Sequence, residues 1–162
     1  MSHDSRAFRD ALGHFATGVA IVTAVGSGGG PMGLTINSFA SVSLTPPLIL
    51  WSLDKASDRF AALMGVSHFA VNMLAGDSRD LAQRLARKGA AGIDGAKVRL
   101  GAHGVPLLED AIAHFECSVE HRYEGGDHVI FVGRVLAFDH TSHGDPLIYY
   151  RGRYRALSEL EG

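Results

Sequence analysis

Cysteine is almost missing: Cys117 stands alone among 162 residues. One thiol excludes a disulfide within the chain and any zinc or iron–sulfur site built from several cysteines of one chain. An unpaired thiol also fits a reducing compartment. Long apolar runs are missing too. The longest, residues 19–25 and 47–51, are far too short to span a bilayer. The start, Met1-Ser2-His3-Asp4-Ser5-Arg6, has no apolar signal core. An excess of one charge sign is missing. Charged residues make up 20% and the formal net charge is −2, which leaves no basic field to hold nucleic acid or an anionic membrane. Several catalytic motifs are absent. There is no G-x-S-x-G elbow of the serine hydrolases and no phosphate loop ending in Gly-Lys-Ser/Thr. Nine histidines are present, but none forms a His-Glu-x-x-His pair on a helix, and His140 and His143 lie in a turn-like segment. The chain reads as a cytoplasmic protein with no metal site and no nucleic-acid or membrane partner.

What is present is a core. Hydrophobic residues at 46% in a chain of this length make one domain over residues 1–162. Asp4 or Ser5 can cap a first helix, in which Phe8, Ala11, Leu12, Phe15 and Ala16 recur at helical spacing; Thr17-Gly18 ends it. Such a stripe on a short helix docks on a core or on a partner subunit. Residues 19–25 are rich in β-branched side chains and predict a strand. The Gly-rich turn after it predicts a hairpin to a strand from Gly33. Gly28, Gly30 and Gly33 have the G-x-G-x-x-G spacing of dinucleotide folds, but Pro31 and strand-like residues follow where that motif needs a helix. Further strands are predicted over 48–53 and 68–74. A short helix capped by Ser57 runs through Met64, and another capped by Asp77 runs through Leu85. Its cluster Arg79, Arg84, Arg87 and Lys88 reads as a solvated face. The clearest hairpin joins 113–123 to 128–138 through Glu124-Gly125-Gly126-Asp127, and a last short pair flanks Gly152. The tail Tyr150-Arg151-Gly152-Arg153-Tyr154-Arg155 reads as an edge strand rather than a nucleic-acid patch. Many short strands with glycine turns and few helices predict a mainly β protein, an antiparallel barrel.

The stretch from Gly33 to Leu48 begins as a strand and turns into a run of short hydroxyl and amide side chains before Pro46-Pro47. Such an edge suits a flat, polar-rimmed ligand lying on the backbone, but the chemistry alone favours a serine-rich turn that satisfies its own backbone. The run also resembles the signature of the flavin reductase family, G-x-T-A-N-S-F-x-S-V-S-x-x-P-P-L. It matches at Gly33, Thr35, Asn37, Ser38, Phe39, Ser41, Val42, Ser43, Pro46, Pro47 and Leu48, and departs at Ile36, where the family has Ala. The resemblance continues in Phe8-Arg9-Asp10-Ala11-Leu12-Gly13-His14-Phe15-Ala16-Thr17-Gly18-Val19, in Phe69-Ala70-Val71-Asn72-Met73-Leu74, in Gly126-Asp127-His128, and in residues 146–154. It departs at 85–96, where many relatives carry an aromatic after a charged pair and this chain has Gly92-Ile93-Asp94-Gly95.

The resemblance implies a split β-barrel that binds FMN or FAD and takes hydride from NADH or NADPH. It also implies a homodimer, and a separate flavin-dependent monooxygenase reached by diffusing reduced flavin. Alternatives are a flavoprotein with tightly held FMN that reduces another acceptor, and a non-catalytic flavin- or haem-binding barrel. By the same resemblance, Thr35, Asn37, Ser38 and Ser41 contact the isoalloxazine and ribityl portions. Ser52, Ser57 and Arg59 take the ribityl chain or phosphate, His128 orients the nicotinamide, and Tyr154 packs on it or closes the pocket. No acid–base dyad is needed, because both reacting atoms belong to the cofactors.

Overall fold

A computed structural model describes residues 4–160; Met1 to His3, part of the segment read for a signal core, lie outside the described residues. Its helices are α1 (Ser5–Leu12), α2 (Phe60–Met64) and α3 (Arg79–Leu85). Its strands are β1 (Thr17–Gly18), β2 (Ala20–Val25), β3 (Pro31–Ile36), β4 (Ala40–Leu44), β5 (Pro47–Asp54), β6 (His68–Met73), β7 (Val98–Leu100), β8 (Pro106–Leu108), β9 (Ala113–Gly125), β10 (His128–His140), β11 (Ile148–Tyr150) and β12 (Arg153–Arg155). No helix among the described residues is long and apolar enough to cross a membrane.

Seven strands form one antiparallel sheet in the order β3-β2-β6-β9-β10-β5-β4. Its end strands, β3 and β4, are joined by only three residues yet are not paired with each other. The ladder is therefore split at the Gly33–Leu48 stretch rather than closed. Two smaller sheets, β1-β11-β12 and β7-β8, flank it.

β2 is buried on both faces from Ala20 to Ala24, as its unbroken apolar run requires. Ala20, Val22 and Ala24 face the inner core with Trp51, Phe69, Phe131 and Leu63 of α2. Ile21 faces a second core under α3, with Leu85, Ile93 and Leu147. Trp51 stacks on Phe131 at 4.6 Å between centroids, and Phe69 meets both rings edge-on. The buried Asn72 ties the layers together. Its amide donates to Ile21 O and Thr23 Oγ1, both at 2.9 Å, and its carbonyl accepts from Leu108 N at 2.9 Å.

Three expected boundaries move. α1 ends at Leu12, not at Thr17-Gly18: Gly13 caps it in a right-handed conformation and Thr17-Gly18 pair with Ile148 and Tyr149 instead. The cap is Asp4, whose carboxylate accepts from Arg6 N and Ala7 N. α2 starts at Phe60 with Arg59 at its cap position, so Ser57 does not cap it; Asp54 accepts from Ala56 N at 2.8 Å in the turn before. α3 is entered through a short 3-10 turn, Gly76–Ser78, and Asp77 does not cap it. After the Gly28-x-Gly30 turn comes β3, so the dinucleotide motif has no helix to open.

Candidate active site

β3 brings the first part of the site. Gly33 lies where a Cβ would meet Ile93 Cγ2 at 2.8 Å and Leu85 Cδ1 at 3.0 Å, so only glycine lets α3 and the 89–95 loop close on the strand. Gly33 N donates to Ala91 O at 2.8 Å, so this loop lies along the outer edge of β3. Two residues on, Thr35 donates its hydroxyl to Ala82 O of α3 at 2.8 Å.

The chain then leaves the sheet. Asn37 is exposed. Ser38 Oγ accepts from Ser52 N at 3.0 Å. β4 pairs Ala40 with Leu50, so the next rung of that ladder would join residue 38 to residue 52. A side-chain hydroxyl supplies it in place of a backbone carbonyl.

β5 alternates. Ile49, Trp51 and Leu53 are buried, whereas Ser52 between them is half-buried on the opposite face. In the turn after β5, Ser57 Oγ accepts from Arg59 N at 3.2 Å. Arg59 is only 3% exposed. Its Nη2 donates to Arg87 O at 2.9 Å and its Nη1 lies 3.5 Å from the Asp58 carboxylate. Its Nε is buried with no partner, a costly arrangement for a charged donor.

His128 opens β10 directly opposite Asp54 of β5. The two-residue turn before it needs Gly126 at φ +75. His128 Nδ1 lies 2.7 Å from the Asp127 carboxylate. That hydrogen bond, with the charge of His128, holds the Asp127 carboxyl below its usual range. An ionised Asp127 only accepts, so Nδ1 carries the proton and Nε2 is free to face a ligand.

These residues line one cleft of about 280 Å³. Thr35, Asn37 and Ser38 come from β3 and the turn after it, Ser52 from β5, Ser57 and Arg59 from the turn after β5, Lys88 from the segment after α3, and His128 from the start of β10. Asn37 and His128 also line a neighbouring groove of about 1000 Å³, between α1 and the β11–β12 turn. Two expected residues stand apart. Ser41 is exposed on β4, outside both linings. Tyr154 packs edge-on against Tyr149 at 5.5 Å, in the core under α3; it is Tyr149 that lines the groove.

Sequence reasoning missed Lys88, Asp58 and the groove side chains Arg9, His14 and Arg151. The basic cluster was the available signal for Lys88, but it does not act as one solvated face. Arg84 donates to Gly92 O and Asp94 O, at 3.0 and 2.8 Å, and braces the 89–95 loop. Asp58, held below its usual range chiefly by the Gly89 amide, fastens the loop's start.

The cleft fits a flavin by its own chemistry. Hydroxyls of Thr35, Ser38, Ser52 and Ser57 and the Asn37 carboxamide line it beside the carboxylates of Asp54 and Asp58, and Arg59 and Lys88 supply cations that suit a phosphate.

A family model described as "Flavin reductase like domain" matches residues 12–158. FMN reductase (NADH) SmoA of Agrobacterium fabrum is 44% identical over 155 residues, covering 96% of this chain and 87% of the relative. The reductase subunit HsaB of a flavin-dependent monooxygenase of Rhodococcus jostii is 38% identical over 157 residues, covering 95% and 78%. Among solved structures, the NADH:FAD oxidoreductase SgcE6 of Streptomyces globisporus, in complex with NAD and FAD fragments, superposes with a TM-score of 0.90 at 36% identity, covering 96% and 93%. Some relatives are longer: the chain spans 48% of a probable flavin reductase of Rhizobium meliloti.

Proposed function

Because the chain belongs to the flavin reductase-like family, we propose that it is an NAD(P)H-dependent flavin reductase that releases reduced FMN or FAD to a separate monooxygenase. The observation that carries this reading is one cleft lined by Thr35, Asn37, Ser38, Ser52 and Ser57 together with the cations Arg59 and Lys88 and with His128. A flavin's phosphate would pair with those cations, and the hydroxyl and carboxamide groups would take its ribityl chain and ring.

Bound flavin supplies N5 as hydride acceptor, and the nicotinamide C4 supplies the hydride. The chain holds the two rings in contact. Thr35 and Asn37 border the flavin ring, and Ser38 keeps the Asn37 corner in place through its rung to β5. Ser52 and Ser57 line the ribityl path, with Arg59 and Lys88 at the phosphate. His128, with Nδ1 engaged by Asp127, presents Nε2 to the nicotinamide. Tyr154 supports the groove from behind Tyr149. In this reading the molecule is a homodimer, which the lack of any buried residue in α1 of the single chain supports.

The test mixes the protein at catalytic concentration with NADH and excess free FMN under argon. Bleaching of many equivalents of flavin is expected. Retained flavin without NADH consumption would mean a binding module, and flavin that co-purifies and does not exchange would mean a prosthetic group.

A further inference from the structure

We propose that Asp58 is a specificity-determining residue that opposes the flavin phosphate and so keeps FMN exchangeable; this rests on the placement of the phosphate at Arg59 and Lys88 proposed above. A flavin without a phosphate meets no such opposition, so the residue acts on the charged ligand alone.

The charge balance of the cleft carries the inference. Its lining sets two carboxylates, Asp54 and Asp58, against two fixed cations, Arg59 and Lys88. Apart from His128, the lining is therefore neutral before any phosphate arrives. Asp54 is engaged in its own turn, where it accepts from Ala56 N at 2.8 Å. Asp58 is the acid beside the cations. Its Oδ1 lies 3.5 Å from Arg59 Nη1, and its Oδ2 accepts at 2.5 Å from the amide of Gly89, the residue after Lys88. The carboxylate is thus pinned between the turn that carries Arg59 and the segment that carries Lys88. The Gly89 amide, with the charges of Arg59 and Lys88, outweighs burial and holds its carboxyl below its usual range. It is therefore ionised at neutral pH and does not accommodate a second anion by taking a proton. Arg59 is partly committed as well, since its Nη2 donates to Arg87 O at 2.9 Å. A phosphate entering there shares its cations with an acid already beside them, and like charges at such range repel. A cleft built to retain its flavin would leave those cations unopposed.

The test titrates FMN, and riboflavin, which lacks the phosphate, into the full-length protein by calorimetry. Asp58→Asn keeps an oxygen for the Gly89 amide, so Tm should hold. Its Kd for FMN should fall roughly three- to tenfold, with Kd for riboflavin unchanged. Asp58→Glu keeps the charge and should leave the ratio of the two affinities as in wild type. Asp58→Ser supplies a second neutral variant, with the same expected gain, should Asn lower Tm. An unchanged or weaker Kd for FMN in both neutral variants would overturn the proposal. So would an equal gain for riboflavin, or the same gain in Asp58→Glu. NADH-driven turnover of FMN by the wild type, with no FMN gain in the neutral variants, would remove the role of Asp58 and leave the reductase reading standing. A gain for FMN alone, without turnover by any of the proteins, would do the reverse.

Discussion

Arg59 is the residue on which the cofactor end of the site turns. A charge-assisted hydrogen bond contributes about 1.5–3 kcal/mol, so Arg59→Met should raise KM for FMN by roughly ten- to a hundredfold. KM for NADH should stay within a few-fold, as steady-state kinetics varying each substrate will show. Arg59→Lys should recover part of the loss. Cys117 is the opposite kind of residue. Burial, aided by the neighbouring Glu116 charge, pushes its thiol up to about 12, and it sits at 1% exposure in the inner core. The thiolate is the reactive form, so iodoacetamide at pH 8 should leave the native protein unlabelled and label it fully in guanidinium chloride, as mass spectrometry can read.

At the scale of elements, the site depends on packing that its own residues do not make. Gly33→Ala places a methyl against Ile93 and Leu85 and should destabilise by about 1–3 kcal/mol. Thermal melts should show the loss, and Ile93→Ala should relieve part of it. A second tie joins β7 to β10: Arg99 Nη2 lies 2.7 Å from Asp139 Oδ2, and His114 Nδ1 lies 2.5 Å from Oδ1. Burial opposes ionisation of Asp139, but the hydrogen bond and charge of His114, with Arg99, outweigh it and hold the carboxyl below its usual range. A lowered folded pKa adds stability above the unfolded value, about pH 4, and that stability is lost as pH falls through the folded value. Asp139→Asn should therefore melt with a shallower fall in Tm below about pH 4 than wild type. The same packing explains what the sequence made legible. β2, β5, β6 and the β9–β10 hairpin carry burial in their branched and alternating residues. β4 has no buried residue, so it reads only as a polar run, and the Phe15 that prolongs the helical stripe lies past a right-handed glycine stop. Thr35, Asn37, Ser38 and Ser52 were readable through their match to the family pattern. Lys88 and Arg151 were not, since the path of a loop decides where each one lies.

For the whole molecule, the largest uncovered feature is α1. Phe8 and Leu12 on the helix and Phe15 just past its end are 60%, 57% and 78% exposed. Light scattering after size exclusion should give about twice the 17.2 kDa of one chain, and Leu12→Glu with Phe15→Glu should halve it. An unchanged mass would move the contact elsewhere, to Leu44 and Phe138 for instance, which are 93% and 70% exposed. Last, the rung that Ser38 lends to Ser52 differs in kind from its neighbours. Amide rungs come with any sequence, whereas this one can be deleted by a single base change. The aperture of the seam is thus heritable separately from the walls, and a lineage could widen its mouth for a bulkier guest while every wall residue stayed the same.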